Sequence, residues 1–371
     1  MKMRQWLFFT ITMVVMIALT VLAAVGLDAI LHLRRPYTSL AHQALATLQP
    51  YTPPDGPDWP ELTDESQIKP YIAELKANGV GLGNSPYREL VTDEARVNYW
   101  VGGCQRMKPN LKKTISFMRS ELFNNFDPLN YFYDSARTLP ADLQQFLDKY
   151  SFRRIHLTSN ENGERLTLPA VQSADKILVA GDSLGMSAMV DDDETLASQL
   201  QAADPTHQYV NIGIAGADAS DVVCALEAAA KRYAGQIKAV IYPFCENDLH
   251  IHKPYGTPET LIPWLAKFRD ENHIASFTII YMPYIYNTVP ELTRIPGHAQ
   301  FDWRRNGAEK ARLLALADKA GFRALDYTRI AEAEKKAGGS EYSAFALYVD
   351  QAHLSRLGIK RLVDVLLPKN G

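Results

Sequence analysis

The sequence lacks several features that would narrow its function at once. It has only three cysteines among 371 residues, Cys104, Cys224 and Cys245, and their spacing matches no zinc motif. Because their number is odd, at most one intrachain disulfide can form, and cysteine usage alone fixes no compartment. The net charge of −3 excludes the broad basic field of a nucleic-acid-binding protein. Neither an internal repeat nor a low-complexity block is present.

The N-terminus, in contrast, is strongly apolar. Residues 6–27 carry no charge, and this stretch is long enough for a helix to span a bilayer. Lys2 and Arg4 precede it, so the segment predicts a single-pass anchor in a bacterial inner membrane. The rest of the chain would then lie in the periplasm or at the cell exterior. The alternative is a cleaved signal peptide, because the small residues at 24–26 offer a cleavage site.

Changes in composition divide the chain into three predicted regions. Residues 1–35 form the anchor, residues 36–150 a smaller, mostly helical membrane-proximal region, and residues 151–371 a larger domain. In the middle region, helices are predicted at 36–49, 68–77, 111–123 and 140–150. A run dense in Pro and Gly at 50–60 predicts a linker or extended loop.

From about residue 174 onward, short apolar runs alternate with amphipathic helical patterns. Strands are predicted at 176–180, 209–212, 237–244, 276–282 and 324–327. Helices are predicted at 193–203, 220–234, 258–268, 306–320, 329–337 and 355–367. This alternation predicts an α/β fold with a parallel sheet that is covered on both faces. Right-handed crossovers then bring the carboxyl ends of all its strands to one edge.

The stretch Gly181-Asp182-Ser183 follows the first of these strands directly. A glycine there lets the backbone turn sharply, and Asp and Ser are both good residues for capping a helix. Taken alone, the motif fits either a capped strand-to-helix turn or an exposed nucleophilic serine.

Three further polar groups are expected at the same edge of the sheet. They are Asn211-x-Gly213-x-x-Gly216 after the second strand, Asn247-Asp248 after the third, and Asp350-x-x-His353 before the last helix. An Asp three residues before a His can place its carboxylate on the imidazole. That contact fixes the tautomer and steadies the charge that forms when the ring takes a proton from serine.

In this order, the four blocks resemble those of the SGNH, or GDSL-type, esterases and acyltransferases. The resemblance covers about residues 176–367, and it implies a flavodoxin-like three-layer α/β/α sandwich. It also implies that Ser183 is the nucleophile, that His353 is the general base and then the acid, and that Asp350 orients His353. The family uses no cofactor and no metal ion in this chemistry.

The resemblance further implies an oxyanion hole made by the backbone N–H groups of Ser183 and Gly216 and the side chain of Asn247. The third block departs from the family pattern, because Cys245 stands where glycine is usual and Glu246 follows it. If that position needs the freedom of glycine, Asn247 would be displaced. Glu246 would also bring negative charge to the oxyanion site.

Two other features bear on function. His250-Ile-His252 has the spacing of metal ligands but no supporting Cys or carboxylate cluster, which favours a loop at the substrate entrance. Aromatic residues are frequent between 87 and 147, and they predict either a small helical core or a lid or carbohydrate-stacking surface near the active site.

The expected function is that of a membrane-anchored serine esterase acting on O-acyl esters, chiefly O-acetyl esters, of cell-envelope glycans. Segments 158–165 and 192–196 resemble stretches of SGNH proteins in bacterial envelope-polysaccharide pathways, or are simply a surface turn and a capped helix. The alternatives are an O-acyltransferase for an envelope polysaccharide, a lipid esterase or thioesterase, and a non-catalytic binding protein. The expected partners are the acylated glycan or another ester, the membrane and envelope-biosynthesis proteins, with no nucleic acid.

Overall fold

The computed structural model describes residues 12–17, 19–24, 69–83, 97–118, 129–134, 139–249, 252–288, 309–339, 341–350 and 352–368. The chain divides into two units, and in the first, Met1–Asp55 with Pro290–Arg305, residues 12–17 and 19–24 are helical. Among the described residues, no helix is both long and apolar enough to cross a membrane. The rest of the predicted anchor, the helix at 36–49 and the linker at 50–60 lie outside the described residues.

The second unit holds all of the elements labelled below. Its strands are β1 Gly81–Gly83, β2 Asn98–Val101, β3 Cys104–Met107, β4 Lys112–Met118, β5 Leu129–Asp134, β6 Ser151–Thr158, β7 Lys176–Val179, β8 Gln208–Asn211, β9 Ile237–Phe244, β10 Ser276–Tyr281 and β11 Arg323–Asp326. Its α-helices are α1 Lys69–Ala77, α2 Ala141–Tyr150, α3 Ser183–Met186, α4 Leu196–Ala203, α5 Ala219–Arg232, α6 Pro258–Glu271, α7 Ile285–Thr288, α8 Lys310–Lys319, α9 Thr328–Gly338 and α10 Arg356–Leu366. Short 3₁₀ turns lie at Asp192–Glu194, Glu246–Asp248 and Glu341–Leu347.

A five-stranded parallel sheet forms the centre of this unit, in the order β11-β10-β9-β7-β8. Numbered by chain position and read from β8, that order is 2-1-3-4-5, the flavodoxin-like arrangement. The predicted α/β class with a parallel sheet is therefore confirmed. All five strands also lie where the sequence predicts them, with ends that differ by at most one residue.

Burial on both faces explains why these segments form strands. All four residues of β7 are buried, as expected for a central strand of a parallel sheet. Leu178 packs into a core cluster with side chains of α5, α6 and α8. Ile177 and Val179 point to the opposite face, because successive side chains of a strand alternate. The helices α4 and α10 contact each other.

The reversal of strand order falls between β7 and β9, which flank each other although β8 separates them in the chain. In open α/β sheets, ligands bind at the carboxyl edge beside such a switch point. Ser183 follows β7 at this edge, and Asn247 follows β9. The topology therefore brings the first and third sequence blocks together.

In its described residues, the middle region holds more strand than helix, whereas a mostly helical region was predicted. The helices α1 and α2 are confirmed, but β1, β5, β4 and β6 form a four-stranded antiparallel sheet in that order. The helix expected at 111–123 is wrong, because β4 occupies Lys112–Met118. Leu111 and Ile115 lie four residues apart, as on a helix. Phe117, two residues beyond Ile115, joins the same buried cluster, and that spacing belongs to a strand.

The predicted boundary between residues 150 and 151 stays a prediction. The strand β6, which begins at Ser151, pairs with β4 along Lys112–Met118, so the antiparallel sheet takes strands from both sides of this boundary. Its cluster of buried side chains also includes Met186 and Met189, which follow Ser183. The middle region therefore packs against the segment behind the nucleophile turn.

The strands β2 and β3 form a hairpin that a disulfide ties to the larger domain. Cys104 on β3 is bonded to Cys224 on α5, with a Cα–Cα distance of 6.2 Å, and Cys245 is buried and takes no part in a disulfide. Tyr99 and Trp100 on β2 are exposed. These two aromatic residues are therefore not part of the small helical core that was one reading of the aromatic segment.

Removing this disulfide is expected to destabilise the folded chain. The bond closes a loop between residues 120 positions apart, and native disulfides contribute about 2–5 kcal/mol. The double variant Cys104→Ser, Cys224→Ser should lose about that much free energy of unfolding, measured by urea denaturation without reductant. Adding dithiothreitol should lower the stability of the wild type and leave the double variant unchanged. Equal unfolding curves for both proteins without reductant would contradict the prediction.

Candidate active site

The turn after β7 exposes Ser183 at the edge of the sheet. Gly181 has φ 130°, and a Cβ on it would lie 2.9 Å from the carbonyl oxygen of Pro243, so both conformation and space favour glycine. The backbone N–H of Leu184 donates to Asp182 Oδ1 at 2.8 Å, which caps α3. Ser183 is thus the first residue of a short helix that starts directly after the turn.

A second tight turn positions His353. The backbone N–H groups of Ala352 and His353 donate to Asp350 Oδ1 at 2.9 and 2.7 Å. Asp350 Oδ2 lies 2.7 Å from Nδ1 of the His353 ring. The N–H of Val349 donates to the carbonyl of His353 at 2.8 Å and closes the loop. The three-residue spacing therefore lets one buried carboxylate hold both the backbone and the ring of His353.

The structure brings the three predicted catalytic residues together. His353 Nε2 lies 2.8 Å from Ser183 Oγ, on the side of the ring opposite Asp350. Because the Asp350 carboxylate accepts a hydrogen bond from Nδ1–H, Nε2 is left as the acceptor for the Ser183 hydroxyl. This is the hydrogen-bond chain that a serine nucleophile and its general base require.

The second sequence block supports the helix that carries Ser183. Asn211 Nδ2 donates to the carbonyl of Met186 at 3.3 Å, and Asn211 Oδ1 accepts from Gly213 N at 3.1 Å. A Cβ on Gly213 would lie 2.1 Å from Met186 N, so no side chain fits between this loop and α3. Sequence reasoning named this block for its last glycine and missed the packing role of Gly213.

Gly216 lies on the turn after β8, near the nucleophile turn. The N–H of Ile214 donates to the carbonyl of Gly181 at 3.0 Å, which joins the two turns. Gly216 has φ 72°, and nothing lies within 4 Å of the position of a Cβ, so its backbone conformation rather than crowding favours glycine.

The third block keeps Asn247 beside the nucleophile turn in spite of Cys245. The Asn247 amide donates from Nδ2 to Asp182 Oδ2 at 3.2 Å. Cys245 is buried and does not have a positive φ, so its position does not require glycine. The displacement of Asn247 that a non-glycine residue at position 245 could cause is therefore not found, because Asn247 contacts the nucleophile turn. The side chain of Glu246 lies outside the described residues.

Two buried carboxyl groups lie under the site. Burial raises the pKa of Asp182 above its usual value, and hydrogen bonding from Leu184 and the nearby charge of His353 offset only part of that rise. Burial, together with the neighbouring charge of Asp182, raises the pKa of Asp248 well above its usual value. Asp248 accepts a hydrogen bond from the Tyr242 hydroxyl at 2.9 Å, and its N–H donates to the carbonyl of Cys245. Asp248 therefore supports the Asn247 turn from below.

A buried arginine holds the loop behind Ser183, and sequence reasoning missed its role. Arg165 has no exposed side-chain surface; it pairs with Asp192 at 3.1 Å. Its guanidinium donates to the carbonyls of Met186, Ser187 and Val190 at 3.1, 2.6 and 2.6 Å. The ion pair joins the two segments 158–165 and 192–196. No local pattern marks a buried arginine, since its partners are backbone carbonyls.

A small cavity of about 10 Å³ lies against Ser183 and His353. Apolar side chains line most of it, among them Leu184, Met189, Leu196, Leu354, Ile359 and Leu362. A space of this size holds about one water molecule.

The predicted metal-like pair falls partly outside the described residues. His250 is not described, and His252 is exposed. Within the described part of the chain, no group of three or more His, Cys, Asp or Glu side chains is arranged to hold a metal ion.

Comparison with known proteins finds similarity among solved structures alone. No family model and no curated protein matches the chain. A lipolytic protein of the G-D-S-L family from Veillonella parvula is 14% identical, with a TM-score of 0.38, over 53% of this chain and 99% of its own. The acetyl xylan esterase AlAXEase is 15% identical, with a TM-score of 0.41, over 52% and 97%. An acetylxylan esterase from Geobacillus stearothermophilus is 18% identical, with a TM-score of 0.36, over 53% and 94%. The first of these is named for the G-D-S-L motif, as is the family that the four sequence blocks resemble.

The buried ion pair of Arg165 predicts a large effect of its removal. Arg165→Ala would remove the ion partner of the buried Asp192 carboxylate and a hydrogen-bond donor of four carbonyl groups, which costs about 3–5 kcal/mol of unfolding free energy. Arg154→Ala is the matched control, because Arg154 pairs with Asp148 at 2.7 Å with side chains that are 34% and 55% exposed.

Urea denaturation of both variants tests this difference. The control should lose no more than about 1 kcal/mol, as exposed pairs do. A loss of similar size in the two variants would contradict the structural role assigned to Arg165.

Proposed function

We propose that this protein is a serine esterase, with Ser183 as nucleophile, that hydrolyses O-acetyl esters of a cell-envelope glycan. The observation that carries the proposal is the continuous hydrogen-bond chain from Ser183 Oγ through the His353 ring to Asp350, with distances of 2.8 and 2.7 Å. These two hydrogen bonds also argue against the non-catalytic alternative, because a binding protein does not need them.

The reaction would proceed in two balanced steps. Ser183 Oγ attacks the ester carbonyl carbon while its proton moves to His353 Nε2. The imidazolium then gives that proton to the departing sugar oxygen, which leaves as a hydroxyl group. The result is an acetyl-Ser183 ester and the free alcohol. Water then attacks this ester, losing a proton to His353, and acetate leaves while Ser183 regains its proton. Backbone N–H groups of Ser183 and Gly216 and the Asn247 amide would stabilise the oxyanion in both steps.

The proposed preference for acetyl rests on the small cavity beside the triad. At about 10 Å³, the space that the described residues enclose against Ser183 and His353 is smaller than a long acyl chain. A lipid esterase or thioesterase would need a deep apolar pocket there. The cavity therefore supports a short acyl group over a fatty one.

The first experiment compares the wild type with Ser183→Ala on 4-nitrophenyl acetate. The variant should lose at least about 1000-fold in kcat/KM, because no other group can form the acyl intermediate. Ser173→Ala is the control, since Ser173 precedes the far end of β7 and should leave the rate unchanged. Equal rates for the wild type and Ser183→Ala would refute the mechanism.

The same assay can separate hydrolysis from transfer. In the proposed esterase, released acetate equals the ester consumed, with or without an added oligosaccharide acceptor. Acetylated acceptor in place of acetate would instead make the protein an O-acyltransferase that uses the same triad.

We propose further that the enzyme works outside the cytoplasm, held by its apolar N-terminus at the inner membrane. The disulfide between Cys104 and Cys224 supports this location, because such bonds persist in oxidising compartments. The uncharged apolar stretch at 6–27 supports the anchor.

Cell fractionation tests the location with the full chain. The protein should remain in the membrane fraction after carbonate washing, and its bulk should be digested by protease added to spheroplasts. Recovery in the cytoplasmic fraction would contradict the proposal.

A further inference from the structure

The hairpin of β2 and β3 exposes apolar side chains in an unusual concentration. Tyr99, Trp100 and Val101 are 39%, 59% and 52% exposed. Among the described residues beyond position 24, Val365 is the only other large apolar side chain that is so exposed. An indole exposed to water is unfavourable unless it contacts a ligand. Three exposed apolar side chains in succession therefore need a functional explanation.

The hairpin is held firmly in its place. The disulfide of Cys104 fixes β3 to α5, and the N–H of Gln105 donates to Asp221 Oδ1 on the same helix at 2.8 Å. At its base, Val97 packs against the buried cluster that contains Met186. A rigid support of this kind reduces the entropy cost of binding a ligand with the exposed side chains.

The hairpin also contacts the loop assigned to the oxyanion hole. Asn98 Nδ2 and Gln105 Nε2 both donate to the carbonyl of Ala215, at 2.5 and 3.2 Å. Ala215 directly precedes Gly216, whose N–H is proposed to bind the oxyanion. A molecule lying on the hairpin would therefore be next to the reacting ester.

A positive charge lies between the aromatic ring and this loop. Lys253 Nζ is 6.0 Å from the centre of the Trp100 ring, and it forms an ion pair with Asp218, two residues after Gly216. A flat apolar ring beside an ammonium group suits a sugar, because a pyranose has an apolar C–H face and a rim of hydroxyl groups. The exposed patch of three side chains is small for a stable protein interface, which buries about 800 Å² on each partner.

We propose that the hairpin Asn98–Met107 is a glycan-binding subsite, in which Trp100 stacks on a pyranose ring next to the acetylated sugar and Lys253 donates to its hydroxyl groups. This inference rests on the proposed esterase function and adds to it the residues that recognise the polymer. It also assigns a role to the middle region of the chain.

The binding test is made independent of catalysis. Two variants are compared, Ser183→Ala and the double variant Ser183→Ala, Trp100→Ala; neither can hydrolyse an ester through Ser183. Each is titrated by calorimetry with non-acetylated xylotetraose and, separately, with cellotetraose. The Kd for the oligosaccharide that binds should rise about 3- to 10-fold on loss of the indole, a typical range for one aromatic contact. Trp100→Phe should recover part of the affinity, and Val101→Ala, on the same hairpin, should change it less than 2-fold.

Kinetics on the active enzyme give a second readout. Trp100→Ala should raise KM for an O-acetylated xylo-oligosaccharide about 3- to 10-fold at nearly constant kcat, and leave 4-nitrophenyl acetate hydrolysis unchanged. Equal losses on both substrates would indicate a merely structural role and overturn the inference.

Three other outcomes would also reject the subsite. They are a Kd that does not depend on Trp100, no binding of either oligosaccharide, and Trp100-dependent binding to phosphatidylglycerol vesicles in place of glycan. If the wild type hydrolyses 4-nitrophenyl acetate in these cases, the esterase proposal stands without the subsite. If the wild type and Ser183→Ala are equally inactive, the esterase proposal itself fails.

Discussion

The hydrogen bond between His353 and Ser183 joins residues 170 positions apart, and the rest of the fold is arranged so that it can form. Neither residue is held by its neighbours in the chain alone. Ser183 depends on the end of β7, and His353 depends on the loop that Asp350 closes before α10. If either loop lost one of the hydrogen bonds that hold it, the loop could rotate. The distance between His353 Nε2 and Ser183 Oγ would then be too long for proton transfer.

Much of the polar interior serves to keep these loops still. Arg165 is the clearest case, because its guanidinium collects carbonyl groups that the turn after α3 leaves without helical partners. Burial lowers the pKa of Arg165, and the charge and hydrogen bond of Asp192 oppose that change. A buried pair is a poor source of stability by itself, yet it specifies a single loop conformation, and a nucleophile requires that.

The sequence was sufficient to predict the parallel sheet and the meeting of Ser183, His353 and Asp350, because both follow from local patterns. Strand and helix periodicity are local, and topology then converts sequence order into spatial proximity. The antiparallel sheet was missed because its strand β4 carries apolar residues at spacings that fit a helix equally well. The contacts of Arg165 and Gly213 were missed because they are made to backbone atoms of distant segments, which leave no pattern at either position.

Asp182 holds Asn247 at the nucleophile turn, although the third block has Cys245 in place of the usual glycine. An amide group has two N–H donors, and Asp182 takes one of those of Asn247, which leaves the other for an oxyanion in the proposed mechanism. The Ser183 hydroxyl lies 3.4 Å from Asp182 but 2.8 Å from His353, so its single proton goes to the shorter contact. The charge of His353 lowers the pKa of Asp182, and by the same interaction Asp182 stabilises the imidazolium that forms when the ring accepts that proton. In the proposed mechanism, the Asp182 carboxylate therefore orients the Asn247 amide and favours the charged state of His353.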